Sequence, residues 1–366
     1  MSSKIIINGL FLKRKITGIQ RYAVEITSRL LNYQNVYVAL PKKTNFQSLS
    51  IKSDQILEVP PSFPSKILGS GVWNQLDLPR YVNNNTLWSP EGIGPLGVKN
   101  HVVTIHDITP LEHPEWFPRH IGAINNFYIP RLVKQARFIL TNSEYTRQQL
   151  LMRFNLSDEK VYVAPCAVDQ QRFVKQNKKE IESVIKRYAI EKPYFLSLCS
   201  LVPRKNLPNL FKAWQRLPAD IQDSFNLVIA GGQIYSHLDF RESVKNVKGI
   251  IFTGYIPDED LPGLYSGALA LVYPSLYEGF GIPPLEAMAC GTPVITCNNT
   301  SLPEVVGEAA LFVDPLDPDD IASAIQKVIY NQELCDNLSK AGLQRAKLFS
   351  WDKSAQMVYD ILSKIN

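Results

Sequence analysis

Short runs of aliphatic and β-branched residues alternate with longer amphipathic stretches along most of this chain. In the first half the pattern predicts strands at 4–8, 36–40, 101–105, 138–141 and 161–164, and helices at 18–31, 125–136 and 144–154. Short apolar runs separated by helical stretches are typical of βαβ units, whose strands form a parallel sheet. We therefore predict an α/β fold for this half.

The same pattern restarts in the second half. It predicts strands at 194–198, 226–230, 249–252, 269–273, 293–296 and 310–313, each followed by a helical or turn segment. The polar, lysine-rich segment 170–192 lies between the halves and is interpreted as a linker plus the first helix of the second domain. A chain of 366 residues with 45% hydrophobic content can bury two cores. We predict two parallel-sheet domains, at 1–172 and 173–348.

The net charge of +5 conceals an asymmetry between the two halves. Residues 1–172 contain 20 Lys and Arg against 12 Asp and Glu, which gives +8, whereas the remainder contains 19 against 22, which gives −3. A basic first half favours an anionic partner. The charges are dispersed and no nucleic-acid-binding motif accompanies them, so we expect no nucleic-acid partner. An anionic membrane, an anionic acceptor and a solvated surface without a partner stay open.

Cysteine usage and the first residues bear on the compartment. The five cysteines show neither a disulfide framework nor the Cys/His spacing of a zinc site, which fits a reducing environment. The first eight residues lack the features of a signal peptide, and no apolar run approaches the ~18 residues of a membrane-spanning helix. We expect a cytoplasmic protein, at most peripheral at the inner face of the plasma membrane.

The most informative segment is Ser275-Leu-Tyr-Glu278-Gly-Phe-Gly-Ile-Pro-Pro-Leu-Glu286-Ala, in which seven residues separate two glutamates. It follows an apolar run and leads through two prolines into a helix, so it predicts a strand, a glycine turn and the first helical turn. Backbone N–H groups and the helix dipole at such a turn suit a phosphate. Glu286, in the first turn, could accept from a ribose diol, with Glu278 nearer the group that the phosphate carries. Both could instead be a dipole-stabilising side chain and a turn cap.

Other unusual residues follow predicted strands in the same way. Ligands of open parallel sheets bind beyond the carboxyl ends of the strands. The residues at such positions are Gly18, His106 with Asp107, Arg204 with Lys205, Gly231 with Gly232, and Glu278. Two domains whose carboxyl edges face one another would enclose a cleft lined by these residues.

Each of these residues has a chemical and a structural interpretation. Arg204 and Lys205 could stabilise the charge that grows on a departing diphosphate, which would make a divalent metal unnecessary, or they could be a solvated pair. His106 could donate to a hydroxyl or steady positive charge, although a lone histidine is commonly structural. Gly18 could let a ligand approach the backbone or could simply open a helix.

The motifs together resemble those of glycosyltransferase family 4, the retaining, metal-independent nucleotide-sugar enzymes with the two-Rossmann GT-B architecture. The likeness is greatest to its bacterial mannosyltransferase branch. The matching segments are Thr17-Gly-Ile-Gln-Arg21-Tyr22, His106-Asp107 with Pro114-Glu-Trp-Phe117, Asn142-Ser143-Glu144, Leu201-Val-Pro-Arg204-Lys205-Asn206, Tyr277-Glu278-Gly-Phe-Gly281, Glu286-Ala-Met-Ala-Cys-Gly291-Thr-Pro293 and Ser301-Leu-Pro-Glu304. They cover nearly the whole chain in the expected order.

The resemblance implies a role for each matching residue. Glu286 would hold the ribose, and Glu278 would contact the donor sugar at the reacting face together with His106. The remaining donor contacts would come from Arg204, Lys205, Gly279, Phe280, Gly281, Gly18, Tyr255 and Ile256, the last two beside the nucleobase. The segment 349–366 would form a helix that crosses back to the first domain. Many members carry an arginine where this chain has Cys199-Ser200, so the second phosphate-binding cation is open.

By the same resemblance we expect transfer of a hexose, with mannose from GDP-mannose as the first choice. The acceptor would be a hydroxyl of a growing, lipid-linked cell-surface glycan, and no cofactor or metal is expected. A nucleotide-sugar epimerase is the alternative enzyme, and it would need carboxylates on the first domain. A catalytically inactive carbohydrate- or nucleotide-binding subunit is the alternative from another class.

Overall fold

The computed structural model describes residues 4–42, 49–232 and 240–365. The chain forms two compact units, one made of Met1–Cys166 with Trp351–Asn366 and the other of Ala167–Ser350. The divisions predicted after residues 172 and 348 fall a few residues from these boundaries.

The first unit is built on a seven-stranded parallel sheet in the order β3-β2-β1-β4-β5-β6-β7. Its strands are β1 Ile5–Asn8, β2 Val36–Pro41, β3 Ile56–Val59, β4 Thr86–Ser89, β5 His101–Thr104, β6 Phe138–Thr141 and β7 Val161–Val163. Its first helices are α1 Gly18–Leu30, α2 Phe63–Leu68, α3 Ser70–Val72, α4 Leu78–Val82, α5 Thr109–Glu112, α6 Arg119–Gln135 and α7 Glu144–Phe154. A parallel sheet covered on both faces explains why its central strands are buried along their whole length.

The sequence pattern missed β3 and β4 and placed the start of α6 too late. Both strands are four residues long, and β3 carries Glu58 in its middle while β4 carries polar residues at both ends. Such short mixed runs give no clear period. Helix α6 begins at Arg119, directly after Pro118, and not near Asn125 as predicted, because its first residues, Arg119 and His120, are polar and exposed and start no apolar period.

The second unit contains a six-stranded parallel sheet in the order β10-β9-β8-β11-β12-β13. Its strands are β8 Tyr194–Leu198, β9 Asn226–Ala230, β10 Ile250–Gly254, β11 Ala270–Tyr273, β12 Val294–Cys297 and β13 Leu311–Val313, close to the predicted ranges. Its helices are α8 Lys178–Arg187, α9 Leu207–Arg216, α10 Ala219–Ser224, α11 Leu261–Ser266, α12 Ile282–Ala289, α13 Leu302–Val306, α14 Pro318–Tyr330 and α15 Gln332–Ala346.

A sixteenth helix, α16 at Trp351–Ser363, belongs to the first unit. It packs against α1 and the residues that follow α1, where Tyr359 stacks on Tyr33 with ring centroids 3.6 Å apart. It also contacts the segment after β7, where the Ser354 hydroxyl donates to the Pro165 carbonyl at 2.7 Å. Across the described part of the chain, no helix combines the length and apolar character needed to span a bilayer.

Both sheets have the same kind of switch point. In the first unit the chain leaves β1 towards β2 and β3, and then returns to place β4 on the other side of β1. In the second unit it leaves β8 towards β9 and β10, and returns with β11 on the other side of β8. Ligands of open α/β sheets bind beyond the carboxyl ends of the strands at this point. The loops after β1, β4, β8 and β11 are therefore the places to look for a site.

Candidate active site

The loop after β11 leads directly into helix α12. Gly281 adopts a left-handed backbone (φ 115°), and a Cβ there would lie 2.9 Å from the Leu302 side chain, so glycine is required. Pro283 and Pro284 occupy the first turn, where the missing N–H groups cost nothing. Glu286 is the fifth helical residue, so it lies just beyond the first turn and not within it as predicted.

Three charged side chains meet at the switch point between β8 and β11. Glu278 accepts from Arg204 Nη1 at 2.7 Å through Oε2, and from Lys205 Nζ at 2.5 Å through Oε1. Lys205 also donates to the hydroxyl of Tyr273, the last residue of β11. The Lys205 and Glu278 side chains are each only 7% exposed. The structure thus brings together the three ionic residues that the sequence placed on this edge.

The electrostatics of this cluster follow from burial and from the two cations. Burial alone would raise the pKa of Glu278, but the Arg204 guanidinium and the Lys205 ammonium outweigh it and hold the pKa at about 2. The pKa of Lys205 is lowered, first by burial and then by the neighbouring Arg204. Glu278 is therefore ionised at neutral pH, and the cluster carries two cations against one carboxylate.

Residues from two other loops hold the Glu278 loop in place. The Asn206 amide donates to the Pro274 carbonyl at 3.1 Å, and the Ser301 hydroxyl lies 2.8 and 2.9 Å from the carbonyls of Glu278 and Phe280. The Glu278 N–H donates to the Thr300 hydroxyl at 3.2 Å. The loop backbone is thus fixed before any ligand arrives, which favours a preorganised site.

Glu286 lies in its own buried environment. Its Oε2 accepts from the hydroxyl of Tyr265 at 2.9 Å, and the Tyr265 carbonyl in turn accepts from Thr292 at 2.7 Å. Sequence reasoning missed Tyr265 and Tyr273, because a tyrosine in an apolar run looks like an ordinary core residue.

The other residues predicted to bind the donor differ in exposure. Gly279 and Phe280 are buried, and the Phe280 ring packs edge-on against Phe349 at 5.7 Å. Tyr255, just after β10, is 68% exposed, whereas its neighbour Ile256 is 4% exposed. Of this pair, Tyr255 is therefore the residue whose side chain is open to solvent.

The neighbourhood of Cys199 explains how Arg204 comes to the cluster. A Cβ on Gly231 would lie 1.9 Å from the Cys199 carbonyl oxygen, so glycine allows the loops after β8 and β9 to touch. The Leu276 N–H donates to the Arg204 carbonyl at 2.8 Å, which ties the arginine to the Glu278 loop. The guanidinium beside Glu278 thus comes from Arg204 and not from position 199 or 200.

In the first unit, His106 lies just after β5 with both ring nitrogens engaged. Its Nε2 lies 2.7 Å from the Pro90 carbonyl, which can only accept, so Nε2 carries the proton. The Asn142 amide then donates to Nδ1 at 3.4 Å. Burial lowers the pKa of His106, which keeps the ring neutral at physiological pH. Donation from the ring to a substrate hydroxyl would require the bond to Pro90 to break.

Gly18 is the first residue of α1, and Gln20 of the same helix contacts a carboxylate that sequence reasoning missed. The Gln20 amide donates to Glu91 Oε1 at 2.6 Å, and Arg14 Nη1 lies 3.7 Å from the same oxygen. The Glu91 side chain is 5% exposed, and burial raises its pKa although Arg14 and Gln20 lower it in part. Glu91 follows β4, so recognising that strand would have placed it at the switch point.

Two Asp-X-Asp triplets occur in the second unit, and both have structural partners. Asp260 accepts from Arg187 and, at 2.6 Å, from the hydroxyl of Tyr188. Asp317 caps helix α14 through the N–H of Asp319 at 2.9 Å. Within 4–42, 49–232 and 240–365, no three His, Cys, Asp or Glu side chains are grouped as ligands for a metal ion.

Comparison with known proteins connects this geometry to a family. The model described as Glycosyltransferase Family 4 matches residues 16–172, and that described as Glycosyl transferases group 1 matches residues 178–345. The O-antigen chain mannosyltransferase B of Escherichia coli is 30% identical over 95% of this chain and 96% of its own. The chain belongs to glycosyltransferase family 4. Like other members, this family 4 protein is a nucleotide-sugar-dependent glycosyltransferase.

A second relative and a solved structure extend the comparison. The O-antigen chain mannosyltransferase RfbU of Salmonella typhimurium is 30% identical over 73% of this chain and 70% of its own. The crystal structure of Anabaena HepE in complex with UDP and glucose superposes with a TM-score of 0.75 over 99% of both chains, at 16% identity. The family 4 protein therefore has the GT-B fold, with its two parallel sheets.

Proposed function

We propose that the protein transfers mannose from GDP-mannose to a hydroxyl of a growing, lipid-linked cell-surface glycan, with retention of the anomeric configuration. The choice of mannose is supported by two relatives that are O-antigen chain mannosyltransferases. The observation that carries the proposal is the buried cluster of Arg204, Lys205 and Glu278, which holds an excess of positive charge at a switch point.

The donor diphosphate binds where this excess can act on it. Arg204 and Lys205 face the phosphates, and the N–H groups of 279–281 at the start of α12 add further donors. Glu286 accepts from the ribose diol, and the exposed ring of Tyr255 packs on the base next to Ile256. Glu278 contacts the sugar. Before the donor binds, its negative charge also holds the side chains of Arg204 and Lys205 in the site.

During transfer the bond between the anomeric carbon and the departing phosphate oxygen breaks. The acceptor oxygen forms its bond on the same face, and its proton passes to the departing phosphate. Negative charge grows on the diphosphate, so Arg204 and Lys205 stabilise the transition state more than the ground state. These cations make a divalent metal unnecessary in this proposal.

Donor screening tests this proposal directly. GDP-mannose and the common UDP-sugars are offered with lipid-linked saccharides extracted from cells that carry this protein, with and without EDTA. We expect consumption of GDP-mannose that EDTA leaves largely intact, and an α-linked product by NMR. A strict requirement for added manganese or magnesium, or an inverted linkage, would contradict it.

The alternatives give different products. An epimerase would convert the nucleotide sugar without an acceptor, and an inactive subunit would bind nucleotide without turnover of any donor. Both are separated from transfer by analysing the products of reactions with and without acceptor.

We further propose that the first unit contacts an anionic membrane through the exposed face of α6. Ile124 and Phe127 are 59% and 58% exposed on this face, and the Arg131 guanidinium lies 3.6 Å from the centroid of the Phe127 ring. Helix α6 also carries Arg119 and Lys134, and it contains no Asp or Glu. Exposed apolar side chains on a helix that has Lys and Arg but no Asp or Glu suit a bilayer surface with anionic headgroups.

Vesicle flotation tests the membrane contact. Binding should rise with the anionic lipid content, and it should weaken as salt shortens the screening length from ~10 Å at 0.1 M to ~3 Å at 1 M. Joint replacement Arg131→Gln and Lys134→Gln should weaken it further, whereas Leu316→Ser, at a residue 70% exposed on the second unit, should not. If vesicle binding depends on neither the salt concentration nor the lipid charge, an acceptor that is not displayed on a membrane would be favoured.

A further inference from the structure

The loop that follows β4, residues 90–95, is held in one conformation. The Gly94 N–H donates to the hydroxyl of Tyr128 at 3.0 Å, and the Pro90 carbonyl accepts from His106 at 2.7 Å. A Cβ on Gly94 would lie 2.3 Å from the ring of His101, so glycine lets the loop pack against β5. This loop lies at the switch point of the first sheet and presents Glu91 there.

Glu91 is fixed by the protein through one of its two carboxylate oxygens. Both of its contacts, from Gln20 at 2.6 Å and from Arg14 at 3.7 Å, reach Oε1. Oε2 has no hydrogen-bond partner in the part of the chain that the structure describes. Oε2 keeps contact with solvent, so its acceptor positions are open to a ligand without the loss of a protein hydrogen bond.

The early loop keeps this carboxylate in place. The Thr17 hydroxyl donates to Gln20 Oε1, which turns the amide so that its Nε2 faces Glu91. Thr17 precedes α1 without capping its N–H groups, so its hydroxyl is used to orient Gln20. The segment 17–20 thus acts as a support for Glu91.

The chemistry of the position selects its ligand. Gly92, Gly94 and Gly97 have the GxGxxG spacing, but the loop runs on to β5 without opening a helix, and the Glu91 charge would repel a phosphate. A single carboxylate is also too few ligands for a metal site. A carboxylate oxygen that only accepts suits hydroxyl donors, and a sugar offers several of them at neighbouring carbons.

We propose that Glu91 binds hydroxyl groups of the acceptor sugar through Oε2, with Gln20 and Thr17 as positioning residues. This inference rests on the proposed function, because it assumes that a sugar is the acceptor. It assigns to the first unit a residue that selects the acceptor and has no part in donor binding.

The test separates transfer from donor hydrolysis. Wild-type protein and the variants Glu91→Gln, Gln20→Ala and Arg14→Gln are compared with Glu58→Gln, a matched change at an exposed glutamate of the same unit. Each is assayed for transfer to the extracted lipid-linked saccharides over a range of acceptor concentrations, and for hydrolysis of the donor without acceptor. Thermal midpoints check that the variants fold.

We expect Glu91→Gln to lower kcat/KM for the acceptor by about tenfold to a hundredfold, the range for a lost hydrogen bond to a charged group. Donor hydrolysis should stay within about twofold of the control, and Gln20→Ala should show a smaller loss of the same kind. Equal losses of transfer and hydrolysis, equal losses in Arg14→Gln and Glu91→Gln, or unchanged transfer would overturn the inference. Wild-type protein that transfers no sugar at all would instead contradict the proposed function.

Discussion

Glu278 and Glu91 occupy corresponding places in the two sheets and have opposite environments. Each follows the strand that returns beside the first strand of its sheet, β11 for Glu278 and β4 for Glu91. Glu278 lies between two cations, and its pKa is about 2. Glu91 has one distant cation and one amide, and burial raises its pKa. The same position in the fold thus holds a carboxylate between two cations in one sheet, and a carboxylate with a single, more distant cation in the other.

This difference teaches which kind of ligand each unit suits. A diphosphate suits the place beside Arg204 and Lys205, because one net positive charge remains after Glu278 is counted. A neutral sugar has no charge to offer but many hydroxyl donors, and the free acceptor oxygen is on Glu91. In our proposal, the assignment of the donor to the second unit and of the acceptor to the first rests on these local charges more than on the net charges of the halves.

The largest effect is expected from removing a cation of the second unit. Lys205→Ala should lower turnover by roughly ten- to a thousandfold, the range for losing one stabiliser of developing charge. Arg204→Ala should fall in the same range. Single-turnover rates at saturating donor provide the measurement.

Arg216→Ala is the control for this experiment, since Arg216 is 45% exposed and pairs with Asp319 on the surface. A loss confined to KM for the donor, with turnover unchanged, would mean that the cations bind the ground state and the transition state equally.

A smaller effect should separate the two glutamates of the donor site. In the proposed site Glu286 binds the ribose diol, so Glu286→Ala should weaken GDP binding by about tenfold or more, as for a lost hydrogen bond to a charged group. Glu278→Ala should leave GDP affinity unchanged or increased, because it frees the two cations. Calorimetric titration of GDP and UDP measures both. Equal losses in the two variants would show that this division of roles is wrong.

The smallest effect sharpens the comparison through pH. The folded pKa of Glu278 lies below the ordinary 4.5, so it contributes stability above pH 4.5 that is lost as pH falls towards 2. The pKa of Glu91 is raised, so its contribution has the opposite sign and declines as pH rises above 4.5. We therefore expect the free energy of unfolding in urea, measured from pH 3 to 7, to fall less on acidification in Glu278→Gln than in wild type. In Glu91→Gln it should rise relative to wild type as the pH approaches 7.

Glu58→Gln is again the control, and its unfolding curve should follow wild type at every pH. If the difference in the free energy of unfolding from wild type changed with pH in the same direction in both variants, the opposite environments of Glu278 and Glu91 would be contradicted.

The sequence predicted the second unit well because its strands are apolar and its site residues follow them directly. The pairing of Arg204 and Lys205 with Glu278 could be anticipated as far as the sheet edge, since carboxyl ends of parallel strands meet there. The distances within this cluster could not be predicted, because they depend on the side chains of Asn206 and Ser301, which donate to backbone carbonyls of the Glu278 loop and the residues before it.

The first unit was harder to predict. Strand β4 consists of Thr86-Leu-Trp-Ser89. Two apolar residues between two polar ones are too short a run to show the period of a strand. Missing that strand removed Glu91 from the candidates and left His106 without its partner, the Pro90 carbonyl. Hydrogen bonds between a ring nitrogen and a distant carbonyl have no signature in composition or spacing.

The return of α16 has a consequence for biosynthesis. On a ribosome, β1 to β7 emerge first, but the groove beside α1 that takes Trp351 stays open until the whole of the second unit has been translated. In the folded protein Trp351 is 3% exposed and Val358 is fully buried, so the apolar surface of the first unit that they cover stays exposed to solvent during that interval. Contacts that join residues so far apart in sequence form late, because chain closure is entropically expensive. The second unit, made of one continuous stretch, can therefore complete its fold before the first.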